Sequence, residues 1–224
     1  MSVTSEPVGY KQLLDWKILA SWNCYRVETV GDGSCLFHAL YNGVAEEYRR
    51  CDYSYNGQLI RELRQELATK LSPEIYSRLA QGNLAQEAAV LAHEMEEAGD
   101  SSSDLTKFTH TGMVALLASH AFIGTGFIEY IGDMLGLDIY ILNAETKDVY
   151  VHHEARYCYK DRPSVVVLCY PPQPLKGDAT QDSGGHYELV AMEVGGVSYS
   201  RWFPDHPFIV MLRQRLQTTG AWEK

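Results

Sequence analysis

The stretch TVGDGSCLFHALYN, residues 29–42, joins a short β-like segment to an apolar run with helical spacing, and a cysteine stands at the junction. Gly31 and Gly33 flank Asp32, so the backbone between strand and helix is free to turn tightly and to approach a ligand closely. Cys35 follows this turn directly, at the predicted start of the helix. Its position leaves three interpretations: a nucleophile, a metal ligand or a small buried residue.

The electrostatics of a helix start favour the first interpretation. Unpaired backbone N–H groups at a helix N-terminus carry partial positive charge. That field favours thiolate over thiol, and the same N–H groups can stabilise an oxyanion on a substrate carbonyl. Asp32, Gly33 and Ser34 are therefore predicted to form the rim of an oxyanion loop, with Cys35 as the candidate nucleophile. The alternative is that Cys35 is an apolar residue facing the core.

A thiolate nucleophile needs a general base, and the eight histidines are the candidates. His186 follows a Ser-Gly-Gly turn and opens the strand-like segment HYELVAMEV, residues 186–194. Because residues two apart in a strand face the same side, Glu188 is placed to orient the imidazole of His186. His38 lies three residues after Cys35 on the same predicted helix, whereas a catalytic cleft usually places the base on another element.

The composition is that of an ordinary globular protein, with 224 residues, 46% apolar and 21% charged. The formal net charge of −10 disfavours nucleic acid as a main partner, because phosphate binding requires clustered Lys and Arg. It suits a basic peptide or a partner with a basic patch, or it simply maintains solubility. No stretch approaches about eighteen uninterrupted apolar residues, so no membrane span is predicted.

The five cysteines are odd in number and form no C-x-x-C pair, which disfavours a zinc ribbon and a disulfide framework. His152-His153 has no cysteine or carboxylate that completes a ligand set, so no metal is predicted. The N-terminal residues lack the basic and apolar segments of a signal peptide. These features predict a reducing, cytosol-like compartment, with the other four cysteines as packing residues.

The order of the predicted elements indicates an α+β fold in a single domain, residues 1–224. Helices are predicted around 11–20, 35–48, 56–71, from 73, and at 84–99, 107–121 and 126–135, with a strand at 24–30 and a loop at 99–104. After Gly136 the sequence turns to β-branched and aromatic runs, which predict a mostly antiparallel sheet. Gly195-Gly196 is typical of a two-residue hairpin.

The glycines near the cysteine also allow a rival interpretation. Gly31-x-Gly33 between a strand and a helix resembles a dinucleotide-binding turn. Leu36 occupies the place of the third glycine, and no run of alternating strands and helices follows. The sequence therefore disfavours a nucleotide-binding fold.

Three segments carry a resemblance to a known family. DGSCLFHAL, residues 32–40, resembles the active-site segment of the OTU (ovarian tumour) family of cysteine proteases, in which D-G-x-C precedes an apolar residue, Phe and Ala. GGHYELV, residues 184–190, resembles the family's second signature, a His followed by an aromatic residue, a polar residue and an apolar strand. Residues 127–142 are similar to the helix and strand that precede the closing strands. The likeness covers about residues 24–203.

The resemblance implies a papain-like α+β fold, with a mostly antiparallel central sheet flanked by helices, and thiol-dependent cleavage of ubiquitin or polyubiquitin conjugates. Carried over by position, Cys35 is the nucleophile, His186 the general base and Asp32 the residue that shapes the oxyanion loop. Glu188 stands where the family usually has Asp or Asn and is one methylene longer than Asp. The third member of the triad is therefore Glu188, or alternatively Asn143 or another polar group.

The same carry-over implies that Gly33, Ser34, Gly185 and Tyr187 bind substrate and that no cofactor takes part. The catalytic core would span about 24–203, with an N-terminal lead-in and a C-terminal helix as extensions. The loop at 171–185 or the helical block at 57–98 is expected to form the ubiquitin-binding face. The alternatives are a catalytically inactive ubiquitin-binding module and a protease for a ubiquitin-like modifier.

Overall fold

The computed structural model describes residues 6–81, 108–150, 160–171 and 185–219. A seven-stranded sheet lies at its centre in the order β1-β2-β6-β5-β3-β4, with β7 paired to β6. The strands are β1 Lys11–Leu13, β2 Cys24–Val27, β3 Asp138–Asn143, β4 Asp148–Val149, β5 Ser164–Tyr170, β6 His186–Val194 and β7 Val197–Tyr199. Every pair is antiparallel except β3 with β5, which confirms the predicted α+β class and mostly antiparallel sheet.

The helices of the described residues lie before β3 and after β7. They are α1 Cys35–Val44, α2 Glu46–Arg50, α3 Tyr53–Lys70, α4 Pro73–Leu79, α5 His110–Ala118, α6 Ile128–Leu135 and α7 Pro207–Thr218, with 3-10 turns at Lys17–Leu19 and Thr125–Phe127. The predicted helix at 84–99 and the predicted loop at 99–104 lie outside the described residues.

Two local predictions are corrected. The helix predicted around 11–20 is wrong, because Lys11–Leu13 pairs with β2 and only one 3-10 turn follows it. Strand pairing supplies the backbone hydrogen bonds that a helix would otherwise make. The helix predicted from Cys35 to Tyr48 is interrupted at Ala45, whose backbone is extended. The hairpin at Gly195-Gly196 is confirmed, since both glycines have positive φ, 59° and 78°.

The strand β6 carries side chains into two hydrophobic cores. Its odd-numbered residues Tyr187, Leu189 and Ala191 belong to the first core, which α1, α3, α5 and α6 complete. Val190 and Met192 belong to the second core, on the other face of the sheet, which α7 completes. The C-terminal helix α7 therefore packs against one face of the sheet, together with Leu14, Trp16 and Leu19 of the N-terminal segment.

The helix α1 lies directly on the sheet, and a glycine permits this close approach. A Cβ on Gly43 would lie 3.1 Å from the Leu189 side chain and 3.2 Å from that of Val165. This packing holds the axis of α1 against β5 and β6. Its N-terminus, with Cys35, thereby lies beside the first residues of β6.

We expect the substitution Leu212→Ala in α7 to lower the free energy of unfolding by about 2–5 kcal/mol, because Leu212 is fully buried in the second core. Val210→Ala, at an exposed position of the same helix, should change it by less than about 0.5 kcal/mol. Urea unfolding of both variants measures the difference. If the two variants changed the free energy of unfolding by equally small amounts, α7 would be a dispensable extension.

Candidate active site

Cys35 is the first residue of α1, and its side chain is buried, with 2% of the residue exposed. Its Sγ accepts a hydrogen bond from the backbone N–H of Tyr187 at 3.4 Å. Tyr187 is the residue after His186, so the start of α1 and the start of β6 meet at the sulfur. The two residues singled out in the sequence as nucleophile and base thus belong to neighbouring backbone segments.

His186 is the first residue of β6, an inner strand of the sheet, and 29% of its side chain is exposed. Its ring is tilted against that of Tyr170, with 6.1 Å between the centroids. Its Nε2 lies 3.9 Å from Oε1 of Glu188, which is longer than a hydrogen bond. Within the described part of the chain, the imidazole makes no hydrogen bond to the Cys35 thiol. The structure therefore brings base and nucleophile into one region without joining them.

Glu188 is buried, and its carboxylate is bound by groups other than His186. Nη1 of Arg26 lies 2.5 and 2.7 Å from its two oxygens, and the Tyr170 hydroxyl donates to Oε2 at 3.0 Å. The expected hydrogen bond between Glu188 and His186 is replaced by a longer electrostatic contact. The alternation of the strand predicted that His186 and Glu188 face the same side of the sheet. It did not indicate that Arg26 of β2 binds the carboxylate.

Asn143, the alternative third member, is occupied elsewhere. Its Oδ1 accepts hydrogen bonds from the backbone N–H groups of Glu145 and Thr146, in the turn between β3 and β4. β5 separates its strand from β6. Glu188 is the better placed of the two to act on His186.

The pKa values of the two central groups shift in opposite directions. Burial raises the pKa of the Cys35 thiol, and the N–H groups of Tyr187, Leu36 and Cys35 itself only partly offset this. The predicted effect of the helix start is thus present, but desolvation outweighs it, which corrects the expectation of a resting thiolate. Burial lowers the pKa of His186 below its ordinary value. The resting pair at neutral pH is a thiol and a neutral imidazole.

Asp32 organises the loop before the cysteine. Its Oδ1 accepts the backbone N–H of Ser34 at 2.9 Å, and its Oδ2 lies 3.2 Å from Nε2 of His38. The other ring nitrogen of His38 lies 2.7 Å from the Tyr48 hydroxyl, so this buried histidine is held between two partners. His38 therefore supports the loop, and the Ser34 N–H is not free to hold an oxyanion. The N–H groups of Asp32, Gly33 and Cys35 are the remaining candidate donors.

A buried arginine that the sequence analysis did not single out also holds this loop. Arg64 of α3 is 1% exposed, and its five N–H donors all meet oxygens. The acceptors are the Ser34 hydroxyl and the carbonyl oxygens of Gly33, Leu116, Leu117 and Ala121. A signal for it was available, since Arg64 interrupts the apolar face of α3 formed by Leu63 and Leu67.

The segment after α5 closes the other side of the cysteine loop. Gly33 has φ +78°, and a Cβ at this position would lie 1.7 Å from the carbonyl oxygen of His120. Phe122 stacks on Tyr187 with 5.2 Å between ring centroids and 7° between ring planes. This close approach requires a glycine at position 33 and leaves no space for a side chain.

The predicted substrate-binding residues are placed unequally. The side chains of Ser34 and Tyr187 are buried, and their role in substrate binding stays a prediction. Gly33 acts through its backbone, and Gly185 is half-buried immediately before β6. Most of the predicted ubiquitin-binding loop, residues 172–184, lies outside the described residues. The end of the predicted helical block, residues 82–98, also lies outside them, whereas residues 57–81 of that block are described.

Two further features concern only the described residues. No cluster of three or more His, Cys, Asp or Glu side chains among them has the arrangement of a metal site. None of their helices is long and apolar enough to cross a membrane. Cys24, Cys35, Cys51 and Cys169 are free thiols.

No family model and no curated protein matches the sequence. Among solved structures, the chain is similar to an ovarian tumour (OTU) domain in complex with ubiquitin, with 15% identity, coverage of 88% of this chain and 86% of that chain, and a TM-score of 0.46. It is also similar to the OTU domain of OTUD1, with 20% identity, coverage of 78% of this chain and 89% of that chain, and a TM-score of 0.37.

We expect Gly33→Ala to lower the free energy of unfolding by at least about 1–2 kcal/mol, the cost of a left-handed conformation for a residue with a Cβ. Displacement of the His120 carbonyl adds to that cost. Gly31→Ala is the matched control, because nothing lies within 4 Å of its Cβ position. Urea unfolding would contradict the described loop geometry if the two variants were equally stable.

Proposed function

We propose that the protein is a cysteine protease of the OTU type that cleaves the bond after the C-terminal glycine of ubiquitin. The observation that carries the proposal is the contact between the Cys35 sulfur, at the start of a helix, and the residue that follows His186. Glu188, two residues further along the same strand, supplies a carboxylate behind the imidazole. In this proposal α1 supplies the nucleophile, and β6 supplies both the base and the orienting group.

In this proposal the two ring nitrogens of His186 have different tasks. Nε2 faces Glu188, so Nδ1 is the atom that takes the proton of the Cys35 thiol. For this transfer the imidazole ring has to turn from Tyr170 toward the Cys35 sulfur. Such a movement is common, because catalytic contacts in free enzymes are often longer than in substrate complexes. Because the Cys35 thiol and the His186 imidazole are both neutral at rest, the proton moves from sulfur to nitrogen only during the reaction.

The reaction then follows the course of covalent thiol catalysis. The Cys35 sulfur attacks the carbonyl carbon of the terminal glycine, and the N–H groups of Gly33 and Cys35 stabilise the oxyanion. The imidazolium of His186 returns its proton to the leaving lysine amine as the tetrahedral intermediate collapses. Water, deprotonated by the same ring, releases ubiquitin from the thioester.

The substrate class comes from the sequence resemblance, and local charge agrees with it. The C-terminal tail of ubiquitin is basic and ends in two glycines, so it requires a narrow, acidic channel. Glu28 is exposed near His186 and Asp32 is exposed near Cys35, in a chain with a net charge of −10. We also propose that the protein acts in a reducing, cytosol-like compartment, with which the free thiols of the described cysteines agree.

One observation favours a second function, a ubiquitin-binding module without catalysis. The thiol is buried, and no hydrogen bond joins it to the imidazole in the described residues. A protease for a ubiquitin-like modifier is a third candidate with the same chemistry. The three differ in whether a covalent bond forms to Cys35 and with which modifier.

Ubiquitin with a thiol-reactive group at its C-terminus should form a covalent adduct with the parent protein and none with Cys35→Ala. His186→Ala should slow the reaction by about 100-fold or more, because the thiol loses its base. Cys51→Ala is the matched control, since Cys51 is partly exposed and lies outside the site; it should react like the parent. Intact-protein mass spectrometry measures all four.

Each alternative has a distinct result in that experiment. Binding of ubiquitin without an adduct would contradict the protease and support the binding module. An adduct with a ubiquitin-like modifier but not with ubiquitin would support the third candidate. An adduct that persists in Cys35→Ala would exclude Cys35 as the nucleophile.

The pH dependence of ubiquitin cleavage provides a second test. The pKa of His186 is lowered from 6.5 by burial, and only the neutral ring accepts the thiol proton. We therefore expect kcat/KM to be retained as the pH falls to 6.5 and to decline only as it falls through the lowered pKa of His186. A decline centred above pH 6.5 would contradict the assignment of His186 as the base.

A further inference from the structure

An ion pair lies directly behind the candidate base. Arg26 of β2 reaches across to β6, where its Nη1 contacts both oxygens of Glu188 at 2.5 and 2.7 Å. Its Nε donates to Oε1 of Gln12 on β1 at 2.8 Å, and Tyr170 of β5 donates to the same carboxylate. A polar row thus crosses the sheet from β1 to β5, with the Glu188 carboxylate at its centre.

We propose that Arg26 is a positioning residue that holds the Glu188 carboxylate toward β2 and away from the imidazole, and so keeps His186 a neutral proton acceptor. The inference rests on the proposed function, because Arg26 acts through the base of that reaction. Arg26 itself neither contacts the thiol nor transfers a proton.

The hydrogen bonds of the carboxylate support this role. Both oxygens of Glu188 are bound by Arg26, and one also by Tyr170, in charge-assisted bonds that are among the stronger ones in proteins. His186 Nε2 stands 3.9 Å from Oε1, too far for a hydrogen bond but near enough to be affected by the charge of the carboxylate. Without Arg26, a buried carboxylate would face the imidazole and favour its protonation.

The charges that face His186 come from several elements. Glu188 lies on the same strand as His186, and Tyr170 lies on β5. Arg26 lies on β2 and Glu28 just after it. The Cys35 thiol contacts the backbone N–H of Tyr187, the residue after His186. Glu188 and Glu28 favour the protonated ring, whereas burial and Arg26 favour the neutral ring; the net effect is a pKa of His186 below its ordinary value. The charge of Arg26 therefore acts on the pKa of His186 in the direction opposite to the charges of Glu188 and Glu28.

The proton balance of the reaction explains why this opposition matters. A neutral ring accepts the thiol proton at Nδ1 and becomes an imidazolium, which the Glu188 carboxylate then stabilises. A ring that takes a proton from solvent while the thiol still carries its own has no site for the thiol proton, and the thiol then remains the poorer nucleophile.

Three variants separate the charge of Arg26 from its packing. Arg26→Gln removes the charge, and Arg26→Lys keeps it. Arg215→Gln removes an arginine that is paired with Asp148 of β4, at the far edge of the sheet. Because only 25% of the Arg26 side chain is exposed, its substitution can also destabilise the fold. Urea unfolding therefore verifies that each variant is folded.

Two measurements are made on these variants and the parent. The first is the NMR titration of the His186 ring, assigned by the loss of its signal in His186→Gln. The second is kcat/KM for ubiquitin cleavage at about pH 6 and about pH 8. For Arg26→Gln we expect the titration to move to higher pH and the rate at the lower pH to fall about three- to tenfold, with recovery at the higher pH. Arg26→Lys should show a smaller change, and Arg215→Gln none.

The outcomes distinguish this inference from the proposed function. An unmoved titration in Arg26→Gln, or a rate that falls by the same factor at both pH values, overturns the positioning role and indicates a purely structural arginine. A shifted titration in a protein that cleaves no ubiquitin supports the positioning role and contradicts the proposed function. Cleavage by the parent without any shift supports the function and overturns the role of Arg26.

Discussion

The buried guanidinium of Arg64 holds together the parts of the chain that form the candidate site. It joins α3 to the loop before Cys35, to the end of α5 and to the segment that follows α5. Burial lowers its pKa to about 10, so it remains charged at neutral pH. Burial of a charge is tolerated only when every donor is satisfied, and here five donors meet five oxygens, with Phe37 beneath the guanidinium at 4.8 Å. The backbone around Gly33 is fixed as a consequence.

Around that fixed loop, two opposing constraints determine what the site can do. Close packing of α1 on the sheet brings the sulfur to the first residues of β6, but it also excludes water and so opposes ionisation of the thiol. The base is subject to the same desolvation. In the proposed reaction, the thiol keeps its proton until a substrate arrives, and the rate then depends on how the charges behind His186 are balanced.

Much of this arrangement was predictable from local patterns. The D-G-x-C turn placed Cys35 at a helix start, and the period-two alternation of β6 placed Glu188 on the side of His186. The helix expected around 11–20 was wrong because that segment has a pairing partner, β2, which no local pattern shows. Arg26 and Arg64 were not singled out, because their roles depend on acceptors that lie far away in the chain.

The sequence by itself determined which residue types could carry the chemistry and on which elements they stand. Backbone turns, helix starts and strand alternation are short-range properties, so glycine spacing and apolar periodicity encode them. Only the tertiary structure decided that Arg26, rather than His186, binds the Glu188 carboxylate, and that burial outweighs the helix field at Cys35. Desolvation and charge pairing depend on distances between segments that meet only when the chain folds, so they cannot be read from neighbouring residues.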